Sequence, residues 1–518
     1  MKRNYILLAL FAVVFVGVYI YAFDSKLDLN GDNANYIRLA QSMADGNGYS
    51  SPTVDGLKPA SHFPPGYSTF LSFFMWMGIQ NLVFFKALNG ILLFVSLLLL
   101  FFIVQRSTQN KSLAFVAVLI PVFSPQLQHF ANMVMSEMLF LFFSVLCIYA
   151  LFQYARKEKP CFWTSPWFYV AFASAAFSYH VRTVGMATIL ALVVFFLFRK
   201  EWKQAVFSLL GVVLLVLPWV IRNSVYGIES RYFGTIMTVN PWRPESGTIS
   251  TFGEFFQKLI NNFDETVIKG FKEILFPFMN IDYGVVSGFL AVVGGLLILA
   301  VVFYGAWNIK EVRWALIALL VGHIGLFMLW HGGNGSRYVV PVAPFIFICF
   351  YTGLYSIIRR FIIRKENKVA QYVPYVFLIL VLPMLQPVKT QAMVSGQPYP
   401  SAYQNYFTMA KEMQKQLPEG KVCCCRKPEL FSYYAPKLYA TNYLYSSNAR
   451  ELIGDLINKK VDFVILDQLG YSSTPLYLYP AIQQYPDLFP VIWHLPSPDT
   501  YLLKFEREKA KSLLNVKE

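Results

Sequence analysis

What most limits the fold of this chain is a succession of apolar runs, each long enough or nearly long enough to cross a bilayer. They fall at roughly 5–23, 86–105, 113–130, 135–155, 166–181, 184–199, 205–221, 284–307, 314–330, 338–358 and 369–386. A helix needs about 20 apolar residues to cross the hydrocarbon, so several of these ends are soft by a few residues. Only 14% of the 518 residues are charged and 56% are hydrophobic, where a soluble domain carries about a quarter charged. The expected class is therefore an all-α polytopic membrane domain of about 11 transmembrane helices. A shorter run at 67–79 follows the Pro64-Pro65-Gly66 break and has the length of an interfacial or re-entrant piece.

The formal charge of +15 does not point to nucleic acid, because the basic residues sit in short clusters between apolar runs. With Lys2 and Arg3 inside and 67–79 not crossing, five clusters fall on the inner side. They are Arg106/Lys111, Arg156/Lys157/Lys159, Arg199/Lys200/Lys203, Lys310/Arg313 and the Arg359 to Lys368 group. If 67–79 crossed, all five would lie outside, so eleven spans are expected. Met1 to Phe23 has a basic start and an apolar core but no small-residue cleavage site, and reads as a retained first span. The run Cys423-Cys424-Cys425 suits neither a zinc knuckle nor mutual disulfides, so these thiols read as packing residues.

This topology places outer loops at 24–85 and 222–283, with residues 1–387 as the membrane domain. Within the first loop, Tyr36, Leu39, Ala40 and Met43 recur at helical spacing, which sets Asp32 at the start of a short amphipathic helix. Phe252 to Phe276 reads as an amphipathic helix lying on the surface. Beyond 387 the pattern changes. Helices are expected at 401–417, 449–460 and 476–486, with strands at 421–425, 461–467, 491–495 and 500–505. Residues 388–518 thus read as a small extracytoplasmic α/β domain.

Two acids are candidates for chemistry. Asp32 at a helix N-terminus, where a negative charge is favoured, suits a general base or an electrostatic partner for a hydroxyl, though Asp is also a favoured N-cap. Glu137 opens a span, where an acid is costly and usually has a purpose; Ser136 and Glu137 also read as a cap and a first-turn acid. Outward basic residues break the charge bias: Lys58, Lys86, Arg182, Arg222, Arg231, Arg243 and Arg337. Arg182 and Arg337 lie at span ends, where a guanidinium fork can grip a phosphate or anchor to lipid headgroups. His62 and His331 are exposed outer-loop histidines without metal-ligand spacing. No P-loop, GxGxxG or nucleophile elbow occurs.

Several short motifs follow one another in order. Gly31-Asp32 is followed by Tyr36 and Leu39-Ala40, then Asp45-Gly46-Asn47-Gly48-Tyr49 and Phe63-Pro64-Pro65-Gly66-Tyr67. Further on come Ser136-Glu137, Arg182-Thr183-Val184-Gly185, Pro218-Trp219 with Arg222-Asn223, and Arg337-Tyr338 with Pro341 and Pro344. Over about residues 1–390 this resembles the GT-C glycosyltransferases. The nearest branch holds the protein O-mannosyltransferases and the aminoarabinose transferase of lipid A.

The resemblance implies a GT-C-like fold and transfer of a sugar from a polyprenyl-phosphate carrier to a hydroxyl acceptor (glycolipid, glycan or protein). The transfer would take place at the outer face of the cytoplasmic membrane. It makes Asp32 the base, with Glu137 the candidate for a second catalytic carboxylate. Many relatives have Asp-Glu where this chain has Asp32-Asn33, so the second acid must come from elsewhere, and a divalent metal is left open. The residues expected to bind lipid phosphate and sugar are Lys58, His62, Tyr67, Arg182, Arg222, His331, Arg337 and Tyr338. Two other classes fit a basic polytopic chain. A transporter or flippase should carry mid-span charges and paired broken helices, whereas charge here collects at span ends. A non-catalytic assembly scaffold would tolerate loss of Asp32.

Overall fold

The computed structural model describes residues 2–514 apart from 158–161, 229–231, 241–242, 331, 334 and 362–367. All eleven apolar runs are helical. In chain order the helices of the first half are α1 (Lys2–Tyr21), α2 (Asp32–Ala44), α3 (Gly66–Trp76), α4 (Leu82–Thr108), α5 (Lys111–Leu119), α6 (Pro125–Ala131), α7 (Glu137–Ala155), α8 (Pro166–Val181), α9 (Met186–Phe198) and α10 (Trp202–Val225). The loop that follows holds α11 (Tyr232–Met237), α12 (Phe252–Phe263) and α13 (Phe271–Leu275). The bundle resumes with α14 (Phe289–Asn308), α15 (Arg313–Leu329), α16 (Ala343–Phe361) and α17 (Val381–Ser395). Among the described residues, seven helices are long and apolar enough to cross a membrane. The pair α5 and α6, bent by 70° at Ser124, makes an eighth. The other three expected spans, α1, α8 and α9, are shorter apolar helices.

Position in the bundle follows from burial. In the most apolar stretch of α16, 78% of residues are buried, and in α7 67%, so these helices are central; α10, at 17%, turns most of its surface to lipid. Helices α14 and α16 meet backbone to backbone at glycines: a Cβ on Gly305 would stand 1.7 Å from the Cys349 carbonyl oxygen. Small residues are what let membrane helices approach this closely.

The long surface helix expected over 252–276 is one continuous rod, but only its first half lies on the surface. A capping box at Thr251 and Glu254 starts α12, which exposes Phe252, Phe256 and Ile260. Burial sets in at a π-helical stretch, Asp264–Gly270, and Phe271, Ile274 and Leu275 beyond it are buried in the bundle. Amphipathic spacing shows that a helix has an apolar face; it does not show whether lipid or protein covers it.

The loop between α1 and α3 carries a two-stranded hairpin, β1 (Ser50–Thr53) and β2 (Gly56–Pro59), which the sequence did not announce. The C-terminal region contains α18 (Ser401–Gln416), β3 (Val422–Cys424), α19 (Pro428–Tyr434), β4 (Tyr439–Thr441), α20 (Ala449–Asn458), β5 (Phe463–Leu466), α21 (Tyr479–Gln484), β6 (Val491–Leu495), β7 (Thr500–Lys504) and α22 (Arg507–Leu514). The strands form one sheet in the order β4-β3-β5-β7-β6, parallel from β4 to β5 and antiparallel beyond. Cys423, Cys424 and Cys425 are buried in and beside β3. The boundary expected at 387/388 falls inside α17, which runs on to Ser395. One apolar cluster joins Leu27 and Ala34 of the first loop to Tyr406, Phe407, Leu430 and Phe431, so the C-terminal region packs on the loop that carries Asp32.

Candidate active site

Gly31, at φ +100°, turns the chain into α2 and occupies the N-cap position, so Asp32 is the first helical residue. The capping role considered for Asp32 is not the one it has. Its Oδ2 accepts from Arg337 Nη2 at 2.8 Å, and its side chain remains 30% exposed. The amino end of α2 favours a negative charge there.

Behind this pair sits Glu137, the first residue of α7, with a side chain wholly removed from solvent. Its Oε1 lies 2.8 Å from Arg182 Nη1 and 3.6 Å from Arg337 Nε. Oε2 is buried with no hydrogen-bond partner. Ser136 makes no capping bond; its hydroxyl accepts from Arg182 Nη1 at 3.0 Å and from the Tyr36 hydroxyl at 3.1 Å. The result is an alternating chain, Asp32, Arg337, Glu137, Arg182, drawn from four elements at one end of the bundle. Burial alone would make Arg337 easier to deprotonate, but the Glu137 and Asp32 carboxylates outweigh it and hold the guanidinium more firmly charged.

The segments that aim these arginines are tight. Arg182 leaves α8 in extended backbone, and a Cβ on Gly185 would meet Tyr179 N at 2.4 Å, so the turn into α9 has no room for a side chain. Arg337 sits in a single 3-10 turn, Gly335–Tyr338. Glu265 fixes the approach to it by accepting from the amides of Gly333 at 2.9 Å and Gly335 at 3.0 Å.

Beside Arg337 opens a cavity of about 470 Å³ whose lining includes Gln126, His129, Glu273, Tyr283 and Ser336. Glu273 organises it: Oε1 accepts from Gln126 Nε2 at 3.1 Å and Ser336 Oγ at 2.9 Å, and Oε2 from the Tyr283 hydroxyl. Its volume lies within the range of small-molecule sites, roughly 300–1,000 Å³.

Of the residues singled out in the sequence, the fold brings together Asp32, Glu137, Arg182 and Arg337. Tyr67 is wholly buried behind them, accepting from Asn89 Nδ2 at 3.0 Å and packing edge-on to Tyr36. Arg222 is committed elsewhere: it donates to the carbonyls of Ala60 and Tyr49 and lies over the rings of Tyr49, Trp219 and Tyr226, tying the first loop to α10. Lys58 is exposed on the hairpin and paired with Asp55. His62 is exposed against the edge of Phe63. Tyr338 stacks on Phe327. His331 lies outside the described residues. Glu265 and Glu273 were not singled out, since an acid on an amphipathic stretch carries no local mark of a tertiary partner, and Ser136, read as a cap, serves Arg182 and Tyr36 instead.

The donor set does not fit a divalent cation. Asp32 and Glu137 are each neutralised by an arginine, and no group of three His, Cys, Asp or Glu side chains is placed to hold a metal among the described residues.

A bundle of apolar helices thus carries, at one end, an acid on the first loop and two arginines. Residues 35–232, from the first loop through α10, match the family model described as dolichyl-phosphate-mannose-protein mannosyltransferase. No curated protein sequence matches the chain. Among solved structures, the Archaeoglobus fulgidus oligosaccharyltransferase tethered with an acceptor peptide superposes with a TM-score of 0.62 at 12% identity. That match covers 98% of this chain and 74% of that one. ArnT from Cupriavidus metallidurans bound to undecaprenyl phosphate gives 0.58 at 13% identity, covering 96% and 97%. The arabinofuranosyltransferase AftD from Mycobacteria gives 0.51 at 12%, covering 96% and 40%. At these identities the likeness is one of fold.

Proposed function

We propose that the protein moves a sugar from a polyprenyl-phosphate carrier to a hydroxyl acceptor at the outer face of the cytoplasmic membrane. The observation that carries this reading is the Asp32–Arg337 pair at 2.8 Å beside a cavity at the end of the bundle. The solved relatives support it, ArnT having been captured with undecaprenyl phosphate and the archaeal oligosaccharyltransferase with dolichol-phosphate.

In the reaction the acceptor oxygen attacks the anomeric carbon and its proton passes to Asp32. The carbon–oxygen bond to the carrier breaks with its electrons going to the phosphate, so the configuration inverts. Negative charge grows on the departing phosphate where Arg337, with Arg182 behind it, can meet it. Glu137 has no exposed surface and acts as a positioning residue, holding both guanidinium groups in place. Residues 388–518 form the outward unit, with α17 leading the chain into it.

Two results follow. Undecaprenyl phosphate should raise the thermal midpoint of the purified protein, and Arg337→Ala should weaken that binding about tenfold or more, with Arg337→Lys between the two because the planar fork is lost. Equal binding by all three would contradict the assignment of Arg337. For sidedness, Asp55→Cys should react with an impermeant thiol reagent in intact cells and Lys200→Cys should not. The native thiols among the described residues are buried and give little background. Labelling of Lys200→Cys alone would reverse the topology.

A further inference from the structure

In the C-terminal sheet the chain runs β3, β4, β5, but the spatial order is β4-β3-β5. The chain therefore moves from β3 to one side and then returns across it to β5 on the other. In open parallel sheets this reversal opens a crevice beyond the carboxyl ends of the first and third strands, where ligands bind. Here those strands are β3 and β5. Arg426 stands two residues past the end of β3, and Asp467 directly follows β5.

These two groups are incompletely partnered. Asp467 is 3% exposed; its Oδ1 accepts from the Leu469 amide at 3.2 Å, while its Oδ2 is buried without a hydrogen bond. Burial pushes its carboxyl up to about 6. Arg426 Nε is likewise buried without a partner. The Arg426 guanidinium lies over the ring of Tyr471 at 4.2 Å and near that of Tyr445 at 5.7 Å, and Tyr445 stacks on Tyr477. A buried carboxylate oxygen left unbonded is costly, and a hydroxyl from a ligand removes that cost.

The chemistry favours a neutral, hydroxyl-rich ring over an anion. The charges there offset one another, Asp467 and Glu245, whose carboxylate accepts from the Tyr477 hydroxyl at 2.8 Å, standing against Arg426 and Lys427. A sugar hydroxyl can donate to Asp467 and another can accept from Arg426, while the C–H face of the ring rests on tyrosine. The end of β3 is also tied to the loop that carries Asp32. Lys427, adjacent to Arg426, donates to the carbonyl of Asn30 at 2.6 Å, two residues before Asp32, and its ammonium lies 4.8 Å from the Tyr471 ring centre.

We propose that this crevice is a glycan subsite, in which Asp467, Arg426 and Tyr471 hold a part of a neutral oligosaccharide acceptor remote from the hydroxyl that reacts. The inference rests on the glycosyltransferase reading and names its acceptor class. The test is titration of the full-length protein in nanodiscs with short neutral oligomers of mannose, glucose, galactose and arabinose, and with an acidic peptide.

At least one oligosaccharide should bind, and Asp467→Asn and Arg426→Met should each weaken it about tenfold or more. Tyr471→Ala, at a half-buried position, serves as a further variant should either of those fail to fold. The idea is overturned if no oligosaccharide binds, if the folded variants bind as well as the wild type, or if only the acidic peptide binds. Hydrolysis of a lipid-linked sugar to water, measured on the same variants, separates the two readings. Sugar binding without any reaction of the lipid donor sinks the enzyme proposal and leaves the subsite standing; the reverse removes only the subsite.

Discussion

Asp32→Asn lowers sugar transfer by about 10²–10⁴-fold, the usual loss when a positioned base is removed, while the protein remains folded. The helix does not depend on this side chain, because Gly31 occupies the cap position and Asp32 makes no capping bond. The substitution keeps the shape and leaves an amide oxygen that can still accept from Arg337. The pair is partly exposed, 30% for Asp32 and 23% for Arg337, so the stability lost is within about 1 kcal/mol. Initial rates with saturating donor, set beside a thermal melt of the same preparation, check both halves. A variant that melts normally and keeps half of its activity would remove Asp32 from the chemistry.

Glu137→Ala is expected to act in the opposite order, through structure first. The glutamate is wholly buried and faces two arginines. Its loss leaves Arg182, 19% exposed, beside Arg337 with no carboxylate between them. Removing one member of a buried ion pair typically costs about 3–5 kcal/mol, because the surviving charge is stranded. The double variant Glu137→Ala/Arg182→Met should recover part of that loss, since it also removes a stranded cation, and this coupling is read from the four melting curves of a double-mutant cycle. Glu137→Gln should fold better than Glu137→Ala and lose activity through misplaced arginines. If Glu137→Ala is as stable as the wild type, the alternating chain is not what holds this end of the bundle together.

Much of this architecture was legible in the sequence because hydrophobic length and charge placement are local properties. Each of the eleven runs became a helix, α2 starts at Asp32 as its spacing required, and β3, β5, β6 and β7 fall within a few residues of their expected positions. Arg182 and Arg337 stood out because they break a charge rule, and the fold brings both to Glu137. Arg222 stood out by the same logic yet holds the first loop to α10, since a charge rule marks a residue without naming its partner. Burial was the less visible part. Tyr67 looked like a ligand contact and is packed behind the site, and the rod from Phe252 becomes buried from Asp264 on, at a π-helical stretch that no periodicity announces. Glu265 and Glu273 act on groups some 60 to 150 positions away in the chain, a relation that only the folded bundle creates.

The central claim is that the donor is a sugar on a lipid phosphate. It is tested most directly with purified protein in nanodiscs, given the same labelled sugar either on a polyprenyl phosphate or on a nucleotide. Transfer from the lipid donor, lost in both Asp32→Asn and Arg337→Ala, is the predicted result. Transfer from the nucleotide with no lipid carrier present would contradict the account.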